Sequence, residues 1–225
     1  MSAQAKIIDL RQLLAERLPR ARMGFATAAP VATLATGVPA LDALLGGGLP
    51  LGETTEIVGE GPGSGTAQVL HALLRQAAAD GRFLALVDGA DSFDADAAEP
   101  AGLARLLWVR CHDADEALQS TDLLLRDRNF PLVVLDLKLN PPAQLRRISG
   151  SVWHRFSRLR EQHRTTLLVV TAQPFVSGAA VRLQVASRLG ADALSLPPGD
   201  VLGRLRFTLL RQASGFGEER TALAG

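Results

Sequence analysis

Short apolar runs alternate with amphipathic stretches along most of this chain. Apolar runs bounded by polar or glycine-containing segments predict strands at 83–88, 106–110, 132–136, 166–171, 193–196 and 205–210. Apolar positions at helical spacing predict a helix over 66–79, a second starting at 113–115, and a long third helix ending near Gln162. Near-continuous apolar strands that alternate with helices are typical of a parallel sheet covered on both faces. The pattern therefore predicts an α/β fold with a mainly parallel twisted sheet.

The N-terminal residues predict a separate element. Ile7, Leu10, Leu14 and Leu18 fall on one helical face, and Pro19 favours an end to that helix. This helix either packs on its own domain or is an arm that docks on a neighbouring protomer or a partner. We expect an arm over 1–25, a linker over 26–34, a core over 35–211 and a loose tail over 212–225.

A glycine-rich stretch, Gly59-Glu-Gly61-Pro-Gly63-Ser64-Gly65-Thr66, follows a short apolar strand and precedes a predicted helix. This is the build of a phosphate-binding loop, in which backbone N–H groups and a helix N-terminus face an anion. In one register Gly65 stands at the lysine of the consensus and Thr66 at its hydroxyl. In the other register Thr66 stands at the lysine. The chain has two lysines, Lys6 and Lys138, and neither register contains one.

Composition argues against a disulfide-bonded, membrane-spanning or strongly basic protein. The formal net charge of +1 does not argue for nucleic acid binding, and the single cysteine, Cys111, excludes an internal disulfide. No apolar run approaches the ~18 residues of a membrane-spanning helix, and the N-terminus does not read as a signal peptide. We therefore expect a cytoplasmic protein with no membrane association and no metal site.

The residues leading into the loop suggest a family. Thr36-Gly37, Leu41-Asp42, Gly46-Gly-Gly-Leu-Pro50 and Glu56-Ile57 closely resemble, in order and spacing, the entry to the ATPase core of the RecA/RadA recombinases. The resemblance covers about Ala35 to Leu210. It implies a RecA-like three-layer core with a mainly parallel twisted sheet, preceded by an N-terminal helix arm.

The resemblance also assigns roles to residues. It implies that Asp136 holds magnesium through water and that Gln173 senses the γ-phosphate, while the position of the general base falls on Ala90. Asp91 is adjacent but should point elsewhere. The residues of the expected vestigial, weak nucleotide site are Gly59, Gly61, Gly63, Ser64, Gly65, Thr66, Asp136 and Gln173. Because the site lacks the consensus lysine and the general base, we expect no enzyme activity and no cofactor. Weak binding of ATP and Mg²⁺ stays open as an alternative.

Arginines cluster in the long third helix. Candidate DNA or partner contacts are Arg146, Arg147, Arg155, Arg158, Arg160 and Arg164, which lie largely off the apolar stripe. They form either a solvated helix face or a surface that contacts phosphates or an acidic partner.

Within the RecA-like superfamily the chain is most similar to the ImuA family, RecA-related accessory proteins of bacterial damage-inducible mutagenesis. This resemblance implies a non-catalytic adaptor in SOS-induced translesion DNA synthesis. Its implied partners are an inactive Y-family polymerase-like protein, an error-prone polymerase and RecA, with self-association through the arm. Two alternatives stay open, an ATP-binding regulator of recombination and a DNA-binding module.

Overall fold

The computed structural model describes residues 32–185, 187, 189–190, 193 and 195–213, which fall within the compact unit Ala32–Ala213. The expected arm, most of the expected linker and the expected tail beyond residue 213 lie outside the described residues. The helices are α1 (Pro39–Leu44), α2 (Thr66–Ala79), α3 (Pro100–Leu103), α4 (Ala114–Arg126), α5 (Pro142–Leu145), α6 (Gly150–His163) and α7 (Pro198–Gly203).

Nine strands accompany these helices in the described residues. They are β1 (Thr33–Leu34), β2 (Leu49–Pro50), β3 (Thr54–Val58), β4 (Leu84–Asp88), β5 (Leu106–Arg110), β6 (Leu132–Asp136), β7 (Thr166–Thr171), β8 (Val181–Val185) and β9 (Phe207–Gln212). β1 and β2 form a small antiparallel pair, and the other seven form one sheet in the order β5-β4-β6-β7-β3-β8-β9. Every pairing in that sheet is parallel except β8 with β9. The predicted α/β fold with a mainly parallel sheet is confirmed.

The apolar character of the central strands has a direct structural reason. Strands β3, β4 and β7 are buried along their whole lengths, as parallel strands with helices on both faces must be. Alternate residues of β4 enter different clusters, since Leu84 and Leu86 belong to one and Ala85 and Val87 to the other. Helix α2 covers the first face, and helices α4 and α6 cover the second.

Local capping explains where two of the covering helices begin. The Asp113 carboxylate accepts a hydrogen bond from Glu116 N at 2.8 Å and caps α4. The Ser149 hydroxyl accepts from Ser151 N at 3.3 Å and starts α6 at Gly150. Such short polar side chains are preferred at N-caps because they satisfy backbone N–H groups that lack a helical acceptor.

The structure corrects four details of the sequence-based expectation. The long third helix is two helices, because the Ser149 cap starts α6 after the short α5. Thr33–Leu34, expected in the linker, is strand β1, paired with β2. A strand was expected at 193–196, but the N–H groups of Ala193 and Leu196 donate to Gly190 O and Ala193 O and not to a neighbouring strand. Strand β8, just before it, was not predicted.

Within the described residues, no helix is both long enough and apolar enough to cross a bilayer.

A buried ion pair joins the central strand β3 to β8. Glu56 is fully buried, and its Oε2 accepts from Arg182 Nε at 2.5 Å. Its Oε1 accepts from Phe175 N at 2.9 Å and from the Thr171 hydroxyl at 3.2 Å. Arg182 also donates to Val176 O at 2.7 Å. The pair thus connects three neighbouring strands and the turn after β7.

Replacing Arg182 by Met should lower the free energy of unfolding by about 3 kcal/mol, because it leaves the Glu56 carboxylate buried without its cation. Urea unfolding followed by circular dichroism measures the change. The matched double variant Arg182→Met with Glu56→Gln should recover part of the loss. Equal stability of the wild type and the single variant would contradict a structural role for this pair.

Candidate nucleotide-binding loop

The glycine-rich loop connects the end of β3 to the start of α2. Gly61, Gly63 and Gly65 have φ angles of +67°, +67° and +94°, which place all three in the left-handed region. Residues with a Cβ rarely adopt this conformation, so three glycines in alternation suit this turn. Gly65 is the N-cap residue of α2. In the described part of the chain, the N–H groups of Gly63 and Gly65 have no hydrogen-bond acceptor.

The two hydroxyls of the loop meet a lysine from a different part of the chain. Ser64 and Thr66 are buried, and both accept hydrogen bonds from the Lys138 ammonium, at 2.7 Å to Ser64 Oγ and 3.0 Å to Thr66 Oγ1. The Thr66 hydroxyl therefore faces into the site while Ala67 is exposed. This fits the register in which Ser64, Gly65 and Thr66 stand at the glycine, lysine and hydroxyl positions.

Lys138 reaches the loop because three hydrogen bonds fix the turn after β6. The backbone N–H of Lys138 donates to Asp136 Oδ1 at 2.9 Å. The preceding Leu137 is fully buried, and its N–H donates to Val170 O at 2.9 Å. Asn140, also buried, donates through Nδ2 to Gly89 O at 2.6 Å. The side chain then crosses the end of β7, which lies between β6 and β3.

Burial shifts both charged groups of this turn toward their neutral forms. The pKa of Asp136 is raised to about 6, chiefly by burial and also by the nearby Asp88, against the opposing effects of the Lys138 backbone N–H and ammonium. Burial also lowers the pKa of Lys138, against the attraction of Asp136. Strand register explains the proximity of the two carboxylates, because Asp88 and Asp136 are paired residues of β4 and β6.

A side chain at the position that the consensus gives to lysine would have to displace Leu205. A Cβ added at Gly65 would lie 2.4 Å from Leu205 Cδ2, well inside van der Waals contact. The left-handed φ of Gly65 would add backbone strain for any other residue. The α2 end of the loop is therefore closed by Leu205, which is itself fully buried.

The carboxylates near the expected base position are already engaged. Asp91 is bound by Arg110 through two hydrogen bonds of 2.6 and 2.7 Å, and this pairing lowers the pKa of Asp91. Asp88 accepts from the N–H groups of Ser92 and Phe93. Ala90 stands between them without an ionisable group. In this arrangement neither aspartate is directed by its partners toward the loop.

Gln173 lies just beyond β7 and is exposed. Together with Glu60, Gly61, Ala172 and Pro174 it lines a shallow opening beside the first half of the glycine-rich loop. The structure thus brings Gln173 near Gly61, while Asp136 and Lys138 lie at the Ser64 and Thr66 end. Gly59 is buried, and its N–H donates to Thr171 O at 2.8 Å.

The six candidate arginines do not form one surface. Arg160 is buried, forms an ion pair with Glu53 at 2.7 Å and donates to Gly52 O, so the expectation that it contacts DNA or a partner is corrected. Arg155 is exposed but pairs with Asp122 of α4 at 2.7 Å. The other four arginines are exposed. Arg146 and Arg147 directly follow α5, Arg158 lies in α6, and Arg164 directly follows α6.

Sequence reasoning missed Lys138 as a site residue. A signal was present, since Lys138 lies two residues after the carboxylate that ends an apolar strand, and the carboxyl ends of parallel strands share one edge of the sheet. What the pattern alone does not give is the direction of the side chain, which depends on the buried Leu137 and the Asn140 contact.

Known proteins resemble this chain in sequence and in fold. The family model described as the RecA N-terminal domain matches residues 19–152. Protein RecA of Streptomyces venezuelae is 35% identical over 118 residues, 51% of this chain and 31% of that protein. Protein RecA of Clavibacter michiganensis is 36% identical over 118 residues, 51% of this chain and 32% of that protein.

The matched segment therefore spans about a third of the length of these relatives. Among solved structures, the crystal structure of the RadB recombinase is similar with a TM-score of 0.54 at 22% identity. That match covers 68% of this chain and 83% of the RadB chain, and it supports the fold.

Replacing Asp136 by Asn should increase the free energy of unfolding at pH 7.5 by about 1–3 kcal/mol. The folded-state pKa of about 6 lies above the ordinary value of 3.8, so ionisation of Asp136 destabilises the folded state, and this cost is complete above pH 6. The wild type should regain this stability as the pH falls through 6 toward 4, and the variant should lack that gain. Urea unfolding at several pH values tests this, with the exposed Asp96→Asn as control. A variant less stable than the wild type at both ends of the range would contradict the raised pKa.

Replacing Gly65 by Ala should cost about 2–4 kcal/mol, since it combines left-handed strain with the Leu205 clash. Gly61→Ala is the matched control, because Gly61 has φ +67° but open space around a Cβ. The control should lose about 1 kcal/mol, from strain alone. Thermal or urea unfolding measures both variants; equal losses would show that Leu205 yields and the position is open.

Proposed function

Because the chain belongs to the RecA N-terminal domain family, we propose that it is a RecA-like core that binds partner proteins and does not hydrolyse ATP. The observation that carries this proposal is the closed position at Gly65, where a lysine side chain would meet Leu205. Loss of that lysine removes a charge-assisted contact worth roughly 1.5–3 kcal/mol, and more as charge develops in the transition state.

The base position supports the same proposal. A positioned general base contributes roughly 10²–10⁴ in rate, and the aligned position holds Ala90. The neighbouring carboxylate of Asp91 is held by Arg110 at 2.6 Å, so it does not replace the base. Even with the Lys138 ammonium beside Thr66, a hydrolytic site would lack a group to activate water.

The resemblance to the ImuA family suggests the cellular process and the partner proteins. We propose an adaptor of SOS-induced translesion DNA synthesis in the bacterial cytoplasm. It would bring together an inactive Y-family polymerase-like protein, an error-prone polymerase and RecA. Exposed Arg146, Arg147, Arg158 and Arg164 are candidate contacts for an acidic partner or for DNA.

One observation favours a second candidate, an ATP-binding regulator of recombination. Lys138 supplies a cation to Ser64 and Thr66 from another strand, so the loop is not without positive charge. Gln173 also lines the opening beside the loop, where a bound phosphate chain would be sensed. In this reading nucleotide binding controls which partner is held.

Partner binding with and without nucleotide separates the two candidates. The adaptor should bind RecA and the polymerase-like protein with affinities that agree within about twofold in EDTA and in Mg-ATP, because no nucleotide-dependent element takes part. Biolayer interferometry with the purified full-length chains measures this, and Asp136→Asn should bind as the wild type does.

An affinity that rises tenfold or more with Mg-ATP and is lost in Asp136→Asn would instead favour the regulator. Turnover of Mg-ATP by the purified protein, at rates comparable with a RecA control, would contradict both candidates. No binding to any of these partners would contradict the adaptor.

A further inference from the structure

Lys138 contacts the two residues that would hold a magnesium ion in this fold family. In P-loop proteins the threonine hydroxyl after the consensus lysine and the carboxylate ending a neighbouring strand hold Mg²⁺ beside the phosphates. Here those two groups are Thr66 and Asp136. Both are bound by Lys138, since Thr66 Oγ1 accepts from the ammonium at 3.0 Å and Asp136 Oδ1 accepts from the Lys138 backbone N–H at 2.9 Å.

These residues do not fit a magnesium ion. The lone pair that Thr66 would offer to the metal is directed to an ammonium, and a divalent cation there would lie next to a positive charge. Unit charges about 4 Å apart repel by several kcal/mol near a protein surface, and a doubly charged ion by more. Nor does any group of three His, Cys, Asp or Glu side chains in the described part of the chain stand ready to bind a metal.

Lys138 is also held too firmly to be an incidental contact. Its turn is fixed by the fully buried Leu137 and by Asn140, which is bound to Gly89. Gly89 is matched to this contact, because a Cβ there would lie 2.4 Å from Asn140 Oδ1. The ammonium donates two hydrogen bonds and has a third proton to donate.

We propose that the Lys138 ammonium takes the place of the divalent cation, so that the glycine-rich loop binds a phosphate chain without metal. The N–H groups of Gly63 and Gly65, which have no acceptor among the described residues, supply neutral donors, and the third ammonium proton supplies a charged one. The ligand class is a nucleoside triphosphate or an inorganic polyphosphate, which share this chemistry. The inference goes beyond the adaptor proposal and is independent of partner binding.

The lysine content of the chain allows a direct test. With only Lys6 and Lys138 present, protein labelled with ¹⁵N-lysine gives two side-chain ammonium resonances. Lys138→Met identifies one and Lys6→Met the other. In EDTA, both tripolyphosphate and ATP should shift the Lys138 resonance and leave that of Lys6 in place.

Calorimetric titrations in the same buffer give the affinities. Lys138→Met should weaken binding of both probes by tenfold or more, since a charge-assisted hydrogen bond is lost, while Lys6→Met should bind as the wild type does. Adding Mg²⁺ in excess of EDTA should weaken binding of both probes, because a phosphate chain that carries Mg²⁺ would bring the metal next to the Lys138 ammonium. Tighter binding of ATP than of tripolyphosphate would identify a nucleotide as the ligand, and equal binding would identify the phosphate chain alone.

Three results would overturn the proposal. One is binding that appears only with Mg²⁺, and another is an unchanged affinity in a folded Lys138→Met variant. The third is the absence of any shift of the Lys138 resonance with either probe, which would mean that Lys138 only closes the loop. None of these results depends on partner affinity, so the adaptor proposal stands or falls separately.

Discussion

Parallel pairing of the central strands is the constraint on which the rest of this structure depends. Strands β4, β6, β7 and β3 lie side by side with their carboxyl ends at one edge. Adjacent strands are about 4.8 Å apart, so the ends of β6 and β3 are separated by roughly 10 Å. A lysine side chain is long enough to cross much of that gap. The register therefore determines that residues 64 and 138 meet, although 74 positions separate them.

Two contacts made by cationic side chains in this sheet have different roles. Glu56 and Arg182 are closed off by neighbouring backbone groups and serve to hold β3 against β8. Lys138 is partly open, and its partners on the loop are neutral hydroxyls. The Asp136 carboxylate also attracts the ammonium, so its field toward an incoming anion is partly offset. The first contact is buried more deeply and stabilises the sheet, whereas the second leaves a cation beside the loop.

The sequence predicted the periodic elements well and the side-chain directions poorly. Strand β6 and helix α2 were found with the bounds that the structure has, because long apolar periodicity is a strong signal. Strand β8 was missed because Arg182 and Gln184 alternate with its apolar residues, so no continuous apolar run marks it; Arg182 is accommodated by Glu56 and Val176 O. Arg160 was taken for a surface residue because its partner Glu53, which is partly exposed, is distant in sequence. The role of Lys138 depended on tertiary contacts that no local pattern encodes.

The contact between Gly65 and Leu205 couples two positions that are distant in the chain. A lysine introduced at residue 65 would meet Leu205 Cδ2 and a left-handed backbone. Its first effect would be loss of stability. A smaller residue at 205 would make room for it, but that change alone would leave a cavity in the core. The amino acids accepted at residue 65 are therefore limited by folding, through residue 205, as well as by any ligand.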